Sequence, residues 1–325
     1  MTNKEIYKKT LVFSVKRLLI DLIGVVLLAG MCFLGFFILD KTIDQGLIGL
    51  FIGLIVGIII LAIISHFISY SLKAGQIAMM TRGITDGALP ENVYAEGKAI
   101  VKKRFATVAA YYAITNVIKG IFNQLGKGIT AVGEMVGGDA GGTVGSAISS
   151  AIQVVVAYLC DCCLGWVFYR EGTSAAKATC EGAVLFFKHG RTLAKNMGRI
   201  FGMGILSLLV IGGAFTGIFY LIFMLIPGAF TALSNEIVEV SDKFESAPPE
   251  FLTNPTILML VAAVVLGVIV WTIIHSTFIR PFILTGVLRN YIESGKNDIP
   301  SESSFSMLDK KSAKFAKLHK ELGNA

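Results

Sequence analysis

The chain has 325 residues, of which 54% are hydrophobic and only 16% charged, with a mean hydropathy of +0.72. Soluble domains carry nearer a quarter charged residues, so this composition argues against an ordinary water-soluble fold. The net charge of +7 is sorted into alternate connections between apolar runs, which excludes its reading as a nucleic-acid-binding surface.

In chain order, the first apolar run is 18–39, with Asp21 near one end and Lys8, Lys9, Lys16 and Arg17 before it. No small-x-small cleavage site follows, so it reads as an uncleaved anchor rather than a signal peptide. The run 47–68 contains no Asp, Glu, Lys or Arg and carries Gly49, Gly53 and Gly57 at GxxxG spacing. Basic surface segments follow at 71–87 and from Pro90 to Arg104. The runs 105–125 and 144–169 hold Lys119 and Asp161 respectively. The last two, 200–226 and 257–279, are apolar throughout, and Gly213 and Gly217 repeat the small-residue spacing. Each run is long enough as a helix to cross about 30 Å of hydrocarbon. None alternates with period two, which excludes a β-barrel.

The reading is an all-α, polytopic membrane helix bundle of about six transmembrane helices in three hairpins, with cytoplasmic amphipathic helices between them. Residues 1–300 form the bundle and 301–325 a basic amphipathic tail. Segments 1–17, 69–104, 170–199 and 280–325 hold 25 Lys or Arg against 11 acids, whereas 40–46, 126–143 and 227–256 hold 3 against 9. By the positive-inside rule both termini are cytoplasmic in a cell (plasma or inner) membrane. In the tail, Leu308, Phe315, Leu318 and Leu322 share one face with Lys310, Lys311, Lys314, Lys317 and Lys320 around it. That pattern suits either attraction to anionic lipid headgroups or a solvated tail.

The third and fourth runs carry the polar pattern. Asn116, Lys119, Asn123, Lys127, Thr130 and Glu134 recur at helical spacing, as do Ser146, Ser150, Gln153 and Asp161. Polar groups in lipid are costly, so the two stripes are expected to face each other or water. Counted from the cytoplasmic ends, Gln153 lies level with Lys119 and Asp161 with Tyr112. This gives a solute or ion path lined by Asp161, Lys119, Asn116, Asn123, Gln153 and Tyr112. Helix glue is the competing reading. The glycine-rich stretch 126–145 between them reads as a re-entrant segment or an external turn. Gly49, Gly53, Gly57, Gly213 and Gly217 are expected to pack helices, within the bundle or in a homo-oligomer.

No phosphate loop, nucleophile–base motif or paired carboxylates appear, so neither an enzyme nor a cofactor is expected. Cys160, Cys162, Cys163 and Cys180 lack the spacing and histidine that a zinc site needs. The segment Cys162-Cys163-Leu164-Gly165-Trp166, followed by Arg170, Cys180 and Phe186 to Asn196, resembles the choline transporter-like family, as does the layout from Leu260 to Glu293. The resemblance covers at most the C-terminal half, and the large external loop of that family is missing. It implies a membrane transport role with a path near Asp161. The expected function is a transporter or channel; the alternative is a membrane scaffold or assembly factor that binds partner proteins or anionic lipid.

Overall fold

Charge-free stretches rich in Leu, Ile, Val and Phe, with few internal prolines, favour uninterrupted helices, because each helix satisfies its own backbone polar groups. The computed structural model describes the backbone of residues 1–105, 108–137, 141–194, 197–243 and 248–323. Within these, the side chains of 65–67, 69, 108–109, 125–137, 141–152, 187, 190–194, 197, 240, 242–243, 250–251 and 323 lie outside the description. Among the described residues all regular structure is helical. The helices are α1 (Asn3–Ile43), α2 (Gly46–Thr85), α3 (Val93–Arg104), α4 (Val108–Gly137), α5 (Gly141–Tyr169), α6 (Ala175–Ala194) and α7 (Met197–Ser207), which runs through a π-helical turn at Leu208–Gly212 into α8 (Gly213–Phe223). There follow α9 (Pro227–Lys243), α10 (Glu250–Thr253) and α11 (Pro255–Ile274), a second π turn at His275–Ile279, then α12 (Arg280–Asn297), α13 (Ser306–Asp309) and α14 (Ala313–Gly323).

Four helical stretches among the described residues are long and apolar enough to cross a membrane: Asn3–Ile43, Gly46–Ile64, Gly198–Phe223 and Pro255–Asn297. They are compatible with a multi-pass integral membrane protein. The expected spans 18–39, 47–68, 200–226 and 257–279 fall on them. Those at 105–125 and 144–169 fall on α4 and α5, which are not among the four; the described apolar part of α5 is Gln153–Tyr169.

The chain divides into two units. The apolar unit comprises Leu18–Ser65 and Phe201–Ile279. Here most large side chains point outward, Leu225 being 81% and Val26 72% exposed, as expected of surface that lipid solvates. Its helices meet through glycine. A Cβ on Gly53 would run into the carbonyl of Met31, and one on Gly49 into that of Gly35, so α1 and α2 touch backbone to backbone. The turn between them places Asp44 at φ 56°, a left-handed conformation that Asp tolerates. Gly267 on α11 takes the same part against Thr216 and the Gly212 carbonyl of α8 and its π turn. Gly213 and Gly217, expected to pack within the bundle or in a homo-oligomer, meet nothing within 4 Å inside the chain. Asn254 caps α11, its Oδ1 accepting from the backbone N–H of Thr256 and Ile257, with Pro255 in the first turn.

The second unit, Met1–Arg17, His66–Ile200 and Arg280–Ala325, has an interior. Trp166, Tyr291, Phe13, Phe122, Phe305 and Phe315 are all less than 2% exposed. Trp166 Nε1 donates to Glu181 Oε2 at 3.1 Å, and Arg170 grips both oxygens of that buried carboxylate at 2.8 and 3.1 Å. The Tyr291 hydroxyl donates to the Gly182 carbonyl. Gly295 is required beside Trp166, where a Cβ would meet the indole ring.

The segments expected as interfacial helices are part of this interior. Ala178, Cys180, Ala183 and Val184 of α6 are buried, as are Ile283, Val287, Leu288 and Tyr291 of α12. The helix expected from Pro90 begins later, at Val93, capped by Asn92 through Ala95 N at 3.0 Å. The tail 301–325 belongs to this unit rather than forming a separate element. Phe305, Leu308, Phe315 and Leu318 are buried, and Ser312 donates to Gln124 Oε1 of α4 at 2.6 Å. The tail lysines 310, 311, 314, 317 and 320 stay exposed. Of the glycine-rich stretch 126–145, residues through Gly137 continue α4 and those from Gly141 open α5, so both parts are helical.

Candidate functional site

The heptad-like spacing of α4 buries one face, with Tyr111, Ile118, Ile121 and Phe122 each at most 5% exposed. Asn116, Lys119 and Asn123 therefore fall on the opposite, exposed face, and Gln153 of α5 is exposed too. Tyr112 is half-buried, its ring 6.1 Å from Tyr70 and 5.3 Å from Tyr111. The side chains of Lys127, Thr130, Glu134, Ser146 and Ser150 lie outside the described residues.

Asp161 has other neighbours. It is 3% exposed on α5. One carboxylate oxygen lies 2.6 Å from Lys73 Nζ of α2 and the other 2.6 Å from an Arg280 guanidinium nitrogen at the start of α12. The same nitrogen also reaches the Ala157 carbonyl at 3.2 Å. Removing a charge from water is costly unless it is paired and hydrogen-bonded, and here both oxygens are engaged. Tyr158 lies against this triad, with the Arg280 guanidinium carbon 5.4 Å from its ring centroid. The Tyr158 hydroxyl and Arg280 Nε are buried without a hydrogen-bond partner. Of these groups sequence reasoning found only Asp161. The signal for Arg280 was its place directly after the apolar run 257–279, and for Lys73 its place as the first cation after 47–68.

A cavity of about 650 Å³ opens between the end of α2, α3 and the end of α5. Its lining includes Arg82, Lys103, Asp86, Glu96, Glu171 and Tyr169. Arg82 donates to Glu96 at 2.6 Å and to Asp86 at 3.3 Å. The Glu96 carboxylate raises the Arg82 pKa above its ordinary value against the opposing effect of burial. The cleft is thus bridged by its own ions.

A third polar cluster lies within the apolar unit, at the two π turns. Ser207 Oγ is 3.2 Å from His275 Nδ1, accepts from Trp271 Nε1 at 3.1 Å and lies 2.8 Å from the Gly204 carbonyl oxygen. Its single proton can go either to the Gly204 carbonyl or to His275, according to the histidine tautomer. Thr277 donates to Asp21 at 3.4 Å. Cys162, Cys163 and Cys180 are buried, and no group of metal-ligating side chains forms among the described residues.

No known protein family, curated protein or solved structure matches the chain.

Proposed function

We propose that the chain is a four-span membrane scaffold, with the unit that has an interior on the cytoplasmic side and both termini there. Charge supports this orientation. That unit carries 27 Lys or Arg against 14 acids, and the apolar unit 2 against 8, a partition that follows the positive-inside rule with 126–143 reassigned to the inside. The observation that carries the scaffold reading is the position of Asp161. The one acid expected to line a path between α4 and α5 is closed off by Lys73 and Arg280, away from the exposed face of Asn116, Lys119 and Asn123. Both sets serve a binding body better than a conduit. The exposed lysines of the tail region are the surface such a body offers to acidic partners or anionic headgroups.

An epitope inserted at 138–140 tests the topology. Four crossings put it in the cytoplasm; protection from cytoplasmic reagents and access from outside would restore six. For the function, co-purifying protein should fall when Lys310, Lys311 and Lys314 are reversed in charge, while solute and ion flux in reconstituted vesicles stays at background. A second reading, transport, is favoured by Asp21 and His275, ionisable groups in the apolar unit. It predicts a flux in vesicles that His275→Ala abolishes.

A further inference from the structure

The Lys73–Asp161–Arg280 triad is electrostatically incomplete. Two cations face one carboxylate, and both of its oxygens are used. Beside this surplus lie two buried polar atoms with no partner, the Tyr158 hydroxyl and Arg280 Nε; Tyr158 as a whole is only 3% exposed. A buried hydroxyl and a guanidinium N–H without acceptors are uncommon and call for a missing group. Both can donate, so that group is an acceptor, and the positive surplus asks that it be an anion.

Access is available, since the side chains of Lys73 and Arg280 are 36% and 28% exposed. Arg17 directly precedes the apolar run 18–39, and Arg280 directly follows 257–279. Basic residues at those chain positions belong at headgroup level. Tyrosine also favours that level, and Tyr158 lies against the triad, its ring centroid 5.4 Å from the Arg280 guanidinium carbon.

We infer that Lys73, Arg280 and Tyr158 form a binding site for a phosphate oxyanion, with Asp161 holding the two cations in place. Arginine offers a fork of donors suited to phosphate, lysine a point charge, and the phenol a further donor. The inference stands whichever reading of the function holds. The phosphate could belong to an anionic lipid headgroup or to a free solute.

The test is native mass spectrometry of the full chain in detergent, titrated with phosphatidylglycerol, alone and in competition with inorganic phosphate. The wild type is expected to retain one lipid. Arg280→Gln should weaken retention about tenfold. Tyr158→Phe, which leaves every charge in place and so keeps the test open if Arg280→Gln fails to fold, should weaken it roughly threefold. Retention that inorganic phosphate does not displace identifies a lipid site, and displacement identifies a site for free phosphate. Absence of retention by the wild type together with no binding of inorganic phosphate would overturn the assignment, as would equal retention by wild type and Tyr158→Phe.

Discussion

The two units are built from the same helices-only vocabulary, yet they treat apolar side chains in opposite ways. In the unit around Trp166, aromatic rings turn inward and interlock; Phe305 and Phe315, for example, meet edge to face with centroids 6.1 Å apart. In the apolar unit, Leu209 is 68% and Leu225 81% exposed, and contact is made through glycine. The difference is the one expected of two parts that face different solvents. Water drives side chains into a core, whereas lipid tails are as apolar as leucine and leave close backbone packing to hold helices together.

The comparison can be broken most directly at large side chains. Phe315→Ala should destabilise the unit by about 3–5 kcal/mol and expose the tail to limited proteolysis, whereas Leu209→Ala should change stability by less than about 0.5 kcal/mol. Equal effects on unfolding in detergent would erase the distinction. Asp161→Ala leaves Lys73 and Arg280 facing each other, at an expected cost of about 2–3 kcal/mol. That is less than for a fully enclosed pair, because both cations reach solvent. Glycine sharpens the contrast within the apolar unit. Gly53→Ala should cost about 1–3 kcal/mol by forcing α1 and α2 apart, while Gly217→Ala, with nothing in its way, should be neutral or stabilising by up to about 1 kcal/mol.

The smallest effect concerns Cys180, whose thiol is pushed up to about 12 from its ordinary 9.0, first by burial and then by Asp309 and Glu181. A raised value means that the fold keeps the neutral thiol. Its contribution is complete below pH 9 and is lost as the pH climbs from 9 toward 12. The Tm advantage of wild type over Cys180→Ala should therefore shrink between pH 9 and pH 11.

The helices of the apolar unit were legible because 47–68, 200–226 and 257–279 carry no charge at all. The assignment of α4 and α5 was harder for a physical reason. Hydropathy records that a residue avoids water, and a core serves as well as lipid; Ile118, Ile121, Cys162 and Val167 are buried against protein. The tail's apolar face is likewise covered by α4 and α6, a contact that its own periodicity does not name. At the site, Asp161 stood out as an acid in an apolar run, but its partners did not. Lys73 and Arg280 lie 88 and 119 residues away along the chain, a separation that no local periodicity encodes. Gly267 escaped notice because its partners Thr216 and Gly212 lie on another helix.

One arrangement bears on how the molecule is made. The Trp166 unit is assembled from three separate stretches, and Arg289 ties back to Asn3 and to the Met1 carbonyl across 286 and 288 positions. A ribosome releases the first stretch long before its partners exist. Ile6 and Phe13, each at most 1% exposed in the finished fold, must wait for Gly75, Gly83, Tyr94 and Gly97, which pack against them, and Asn3 must wait for Arg289. Long-range closure of this kind is slow and leaves apolar surface uncovered in the interval. Chaperone cover of the nascent N-terminal segment, and loss of yield when translation outpaces insertion, follow from that topology.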